Sequence, residues 1–188
     1  MNGHRFTGRR LGSTFEPEAD AGILRRTTWG DRIPVDPVRI ALDLGFEVRR
    51  TTLPQNVSAA LIKKRGHDPV IVIEDRDSDN RKRFSVAHEL GHYILNAGDE
   101  EIERIDYRDT LASEGAERDE IYANKFAAEL LMPEDEVKGM WESGDPPWLM
   151  AQKFGVSAEA LRYRLINLGL PTEAESAEPA EPAEPAGI

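Results

Sequence analysis

The sequence predicts an α+β domain, and three observations carry that reading. Three short apolar runs occupy the first half, helical periodicity dominates the rest, and the helical part holds the pentapeptide His88-Glu89-Leu90-Gly91-His92. Strands gathered before clustered helices imply a small three-stranded sheet with helices packed against it. The chain of 188 residues is long enough for one domain with a core, with room for a small appendage. Its 39% hydrophobic and 31% charged residues are ordinary for a globular protein.

Residues 1–30 are rich in Gly and Arg without clear periodicity, and are expected to be loosely ordered. In IPVDPVRIALDLGFEVRR, Asp36 fits an N-cap and Pro37 the first helical position, while Val38, Ala41, Leu42 and Leu44 give an apolar stripe. Gly45 should end that helix, and Phe46 to Arg50 reads as a strand. Residues 59–64 and 70–74 are two more strands, separated by the turn Arg65-Gly66-His67-Asp68-Pro69. A charged loop, DRDSDNRKR, should lead into the helix that carries His88 and His92. Residues 99–114 are acidic and poorly periodic, so a long loop is expected. A second strong helix follows at 116–131 and stops at Met132-Pro133. The run WLMAQKFGVSAEALRYRLINLGL reads as helix, Gly155 turn, Ser157 cap and helix. The expected divisions are thus 1–30, a body over 31–142, a helical hairpin over 143–171 and a tail over 172–188.

Charge and composition exclude several classes. The net charge is −11, and five of the glutamates (Glu173, Glu175, Glu178, Glu181 and Glu184) lie in the EPA-repeat tail. That tail lacks core-forming residues and is expected to be disordered. An acidic body argues against broad nucleic-acid binding. The chain has no cysteine, hence no disulfide framework and no thiolate metal site. No apolar run approaches membrane-spanning length, and the N-terminal MNGHRFTGRRLG lacks the apolar stretch of a secretory signal. A cytoplasmic protein with no membrane association is the expectation.

The chemistry begins with HELGH. Residues four apart on a helix stack on one face, so His88 and His92 can grip one metal ion together. Glu89 lies about 100° round the helix, where it can reach a water on the metal but not join as a ligand. Two histidines leave a tetrahedral site half served, and a catalytic site wants a third protein ligand with one position open. His4 and His67 read as solvated loop histidines. The next helix offers Glu117, Asp119, Glu120 and Glu129. Glu120 is preferred, because Ala123, Asn124 and Ala127 lie on or beside its face and allow close helix approach. Asn124, one turn on, is placed to accept an N–H from a ligating imidazole and fix its tautomer. Tyr93, Tyr107, Tyr122 and nearby arginines are candidates for stabilising an oxyanion. Strand 59–64 or 70–74 could present an edge to an extended peptide.

The run RFSVAHELGH (83–92) with EIYANKFAAELLMP (120–133) resembles the ImmA/IrrE metallopeptidases. The second run carries the resemblance through Glu120, Ala123, Asn124, Phe126, Ala127, Ala128, Leu130, Leu131, Met132 and Pro133. IPVDPVRIALDLGFEV, AALIKK and FGVSAEALRYRLINLGL extend it over roughly 30–170. The resemblance implies a zincin-like fold with a small, twisted, mostly antiparallel sheet. It implies zinc held by His88, His92 and Glu120, with Glu89 as the catalytic residue. It implies a cytoplasmic zinc endopeptidase that cleaves a helix-turn-helix repressor and so derepresses stress-response or mobile-element genes.

Two other functions fit parts of the sequence. Ala151, Gly155, Ser157 and Leu161 match a helix-turn-helix pattern, with Arg162 and Arg164 on the would-be recognition helix, so a DNA-binding regulator is one alternative. An adaptor with a non-catalytic zinc site is the other. Neither substrate nor oligomeric state is encoded in a readable motif.

Overall fold

The computed structural model describes residues 15–107 and 114–171, and the side chains of Tyr107 and of residues 114–116 are not among those described. The expected tail over 172–188 therefore lies outside the described residues. The described chain holds seven helices and one four-stranded sheet. In order these are α1 (Pro17–Thr28), α2 (Pro37–Asp43), β1 (Glu47–Thr51), β2 (Val57–Lys63), β3 (Val70–Glu74) and α3 (Asp79–Leu95). They are followed by β4 (Ile102–Tyr107), α4 (Glu114–Leu131), α5 (Glu134–Glu142), α6 (Pro147–Phe154) and α7 (Ala158–Asn167).

Local chemistry accounts for most of the boundaries. Asp36 Oδ1 accepts from the amides of Val38 and Arg39, capping α2 as its position before Pro37 predicts. Gly155 closes α6 at φ +65°, a left-handed conformation that suits glycine. Two residues on, Ser157 Oγ accepts from the Ala160 amide to start α7.

Four expectations need correction. Residues 17–28 form a helix rather than a loose segment, with Pro17 in its first turn and Ala21 and Leu24 in the core. Helix α3 starts at Asp79 under a Ser78 cap, so the second half of the charged run belongs to the helix. Residues 134–142, which no sequence pattern marked, form α5. The largest change is β4, which replaces part of the loop expected over 99–114. It makes the sheet four-stranded in the order β1-β3-β2-β4. The pairings β2–β3 and β2–β4 are antiparallel and β1–β3 is parallel.

Helix α3 is the centre of the molecule. Ser85 through His92 are all buried, and α3 contacts α1, α2, α4 and strands β2 and β3. Its Val86, Ala87 and Leu90 join Leu61, Ile71 and Ile73 of the sheet and Phe126, Leu130 and Leu131 of α4 in one core. Burial of each large apolar side chain contributes about 1.5–3 kcal/mol. The hairpin of α6 and α7 shares that core through Phe154, Leu161 and Leu165. It is also tied by Arg83 of α3, whose guanidinium donates to the carbonyls of Gly155, Phe154 and Val35.

Candidate metal centre

Helices α3 and α4 meet at Gly91. A Cβ there would lie 2.9 Å from the Ala123 Cα and 3.2 Å from the Phe126 ring, so only glycine permits the approach. Phe126, Leu130 and Leu131 anchor α4 in the core, while Ala123 and Ala127 keep its facing surface thin. The consequence is that Glu120, one turn before Ala123, reaches the two imidazoles.

The facing atoms are closely spaced. His88 Nε2 and His92 Nε2 are 3.0 Å apart, and Glu120 places Oε2 3.2 Å from the first and Oε1 3.2 Å from the second. Asp106, on β4, brings Oδ2 to 3.4 Å from His88 Nε2. One ligand atom from each of these four residues lies within 4.8 Å of the others. A tetrahedral ion with bonds of 2.0–2.1 Å has ligand atoms about 3.4 Å apart, so the spacing fits a zinc-sized cation. Nitrogen and carboxylate donors without thiolate also suit other divalent metals.

The charge balance points the same way. Burial opposes a proton on His88, but the Asp106 and Glu120 carboxylates outweigh it and raise the pKa to about 9. Two acidic partners that favour a proton at that nitrogen would also favour a metal cation. Burial disfavours the Glu120 carboxylate, yet His88 and His92 hold it ionised well below its usual range. Burial dominates at His92 and lowers its pKa. Glu89 is fully buried beside the cluster. Burial and then the Asp106 carboxylate push its pKa well above the ordinary range, so it holds a proton readily.

Arg104 of β4 completes the surroundings. Its guanidinium donates to Glu120 Oε1, the oxygen that also faces His92, at 2.8 Å and to Asp119 Oδ2 at 3.2 Å, which fixes the Glu120 carboxylate in place. A cavity of about 1090 Å³ opens over the centre. Its wall includes His88, Asp106, Glu120 and Asn124 and continues to Tyr163 on α7.

His88, Glu89, His92 and Glu120 thus come together at one place. Asn124 does not take the part expected of it. It is exposed on the cavity rim, and the Nδ1 atoms of both His88 and His92 lack a hydrogen-bond partner. The helical turn that carries Asn124 past the close contact at Gly91 leaves it beside the imidazoles' opening rather than behind them. Of the tyrosines, Tyr122 is buried and donates to Asp20 of α1, and Tyr93 packs on Phe46, so both are withdrawn from the cavity. Strands β2 and β3 are interior, so neither offers the expected free edge; β4 and β1 form the edges.

Asp106 and Arg104 are the residues that sequence reasoning missed. Ile102, Arg104 and Asp106 share one face of β4 by the two-residue repeat of a strand, with polar groups turned inward. Ile105, on the opposite face, is 49% exposed. This inversion of the usual apolar-in pattern hid the strand. An Arg and an Asp spaced by two were the available signal.

Arg164 differs from its expected exposure on a recognition helix. It is buried, paired with Glu129 and bonded to the Met132 carbonyl. Its charge is committed inside the protein and does not face a phosphate.

Residues 41–166 match the profile of the IrrE N-terminal-like domain (Peptidase_M78). The radiation response metalloprotease IrrE of Deinococcus radiodurans is 36% identical over 101 residues, which are 51% of this chain and 30% of that protein. This chain therefore aligns with less than a third of that relative's length. A solved Mycobacterium tuberculosis transcriptional regulator aligns with a TM-score of 0.45 at 18% identity, over 85% of this chain and 42% of the other.

Proposed function

The chain belongs to the IrrE N-terminal-like peptidase family, and on that premise we propose that it is a zinc-dependent endopeptidase acting on a helix-turn-helix transcriptional repressor. The observation that carries the hydrolase reading is the meeting of the His88, His92 and Glu120 donor atoms beside buried Glu89. A structural metal site has no use for a buried carboxylic group next to its ligands, whereas peptide hydrolysis needs a proton carrier there.

His88, His92 and Glu120 would hold the metal, with Arg104 keeping the Glu120 carboxylate in place. When bound, zinc supplies Lewis acidity toward the scissile carbonyl and the attacking water. Glu89 takes the proton from that water and delivers it to the leaving amine. An extended substrate can pair along the free edge of β4, with backbone bonds giving affinity and the cavity wall giving selectivity.

The name of the Deinococcus protein, a radiation response metalloprotease, supports a metalloprotease with a role in a stress response. No helix among the described residues is long and apolar enough to cross a membrane. The internal pairing of Arg164 weighs against the DNA-binding alternative.

The test is Glu89→Gln assayed beside the parent chain, both zinc-loaded, with helix-turn-helix repressors encoded next to its gene as substrates. Intact-mass spectrometry should find one cut by the parent chain and none by the variant, with metal content equal in both. A cut that persists in the variant would contradict the role given to Glu89. No cut of any repressor by the metal-loaded parent would contradict the substrate assignment.

A further inference from the structure

Asp106 faces the metal side of His88. An outer carboxylate that merely orients a ligating histidine bonds to the ring nitrogen turned away from the metal. Here the nitrogens that converge with Glu120 are the Nε2 atoms, and Asp106 Oδ2 lies 3.4 Å from His88 Nε2. His88 Nδ1 has no partner. Asp106 therefore stands where a fourth ligand would stand.

The strand that carries it pairs irregularly at that point. Among the described residues β4 is an edge strand, paired only with β2. The ladder between them loses its regular register between Val57 and Ala59, opposite Tyr107 and Asp106. Bulges of this kind re-aim a side chain and weaken pairing locally. A 3.4 Å contact from Ser58 Oγ to the Asp106 carbonyl supplements the pairing there. Asp106 also neighbours Glu89, so it touches both the ligand cluster and the proton carrier.

We propose that Asp106 is a fourth protein ligand, which closes the resting metal centre and keeps the peptidase latent until the end of β4 is drawn aside. The inference rests on the metal site described under Proposed function. Four protein ligands make a closed site of the structural kind, and three with an open position make a catalytic one. A partner that pairs with the free edge of β4 would shift the chain between these states, because the strand it grips carries the blocking carboxylate. Substrate engagement and unblocking would then be one event.

The experiment uses the full chain loaded with cobalt(II), titrated with acetohydroxamate and followed by visible absorption. Parent, Asp106→Ala and Asp106→Asn are compared, and chelator competition gives the metal affinity of each. Asp106→Asn keeps the side-chain volume, so a folding failure of the alanine variant does not remove the comparison. Both variants should hold metal at least about tenfold more weakly, as the loss of a coordinating group predicts. Both should also bind hydroxamate more tightly than the parent, and their basal cleavage of a generic unfolded protein should rise.

Unchanged metal and hydroxamate affinities would overturn the proposal. So would a loss of cleavage with metal affinity intact, which would make Asp106 a helper of the reaction instead of its block. The hydroxamate titration needs no turnover, so it stands even if the repressor assignment fails. Parent chain that binds no cobalt would overturn the metal site itself, and this inference with it.

Discussion

Gly91 is the residue on which the geometry of the centre turns. An alanine there would press its Cβ against the Ala123 backbone at 2.9 Å, and neither helix can yield without moving the other. Gly91→Ala is expected to destabilise the metal-free protein by about 1–3 kcal/mol, the usual effect of overpacking. Urea denaturation under chelator would measure this, and unchanged stability would show that the helices have slack. The HELGH residues were legible because their spacing is itself the chemistry. Glu120 was legible because small residues follow it on the same face. Asn124 was misjudged because sequence spacing gives a face but not the rotation of that face relative to a neighbouring helix. Asp106 was invisible because nothing in the local sequence ties a strand carboxylate to histidines on a preceding helix.

At the scale of elements, the first three strands announced themselves through apolar, β-branched runs bounded by turn residues. β4 did not, since its inward face carries Arg104 and Asp106 for the site and its outward face exposes Ile105. A strand shaped by a site breaks the pattern by which strands are recognised. Two ties between elements make separate predictions. Glu74, buried at the end of β3, accepts from the amides of Leu53 and Arg76 and from the Arg76 guanidinium. The Arg76 bonds lead in holding its pKa far below the usual carboxylate range. A depressed pKa contributes stability that is present above the unfolded value of about 4.3 and lost as pH falls through the folded one. Glu74→Gln should therefore lower stability at pH 7, with the difference from the parent shrinking below about pH 4. A difference that stays constant down to pH 2 would exclude the charged form as the source.

Arg164 and Glu129 join α7 to α4 as a largely buried pair. Burial raises the pKa of Glu129 despite its partner, which indicates how poorly that carboxylate is solvated. Arg164→Ala leaves it uncompensated and should cost about 3–5 kcal/mol, whereas Arg164→Met with Glu129→Leu should lie much closer to neutral. Thermal or urea unfolding of the two variants beside the parent checks this. Equal losses in both would mean that packing, not charge, fixes the hairpin. The helix-turn-helix pattern of the sequence thus describes a real turn at Gly155, but its arginine serves the core.

For the whole molecule, an α+β arrangement followed from the order of apolar runs and helical stretches. The central position of α3 was not read from the sequence, because His88, Glu89 and His92 interrupt the apolar pattern of a helix buried on every side. The first helix was obscured by its surroundings in an Arg- and Gly-rich stretch, although Ala21 and Leu24 pack into the same core as α4. What the sheet and helices jointly achieve is to bring two helices and one edge strand to a single point beneath a large cavity. The centre is assembled from residues 88, 89, 92, 106 and 120 only once the chain is folded, so metal affinity should report on the whole arrangement. The most direct measurement is the metal content of zinc-replete protein after dialysis against a mild chelator, with Glu120→Ala treated identically. About one zinc per parent chain and clearly less in the variant is the expected result. A parent chain that retains no zinc, or a variant that retains as much as the parent, would contradict a metal centre built on His88, His92 and Glu120.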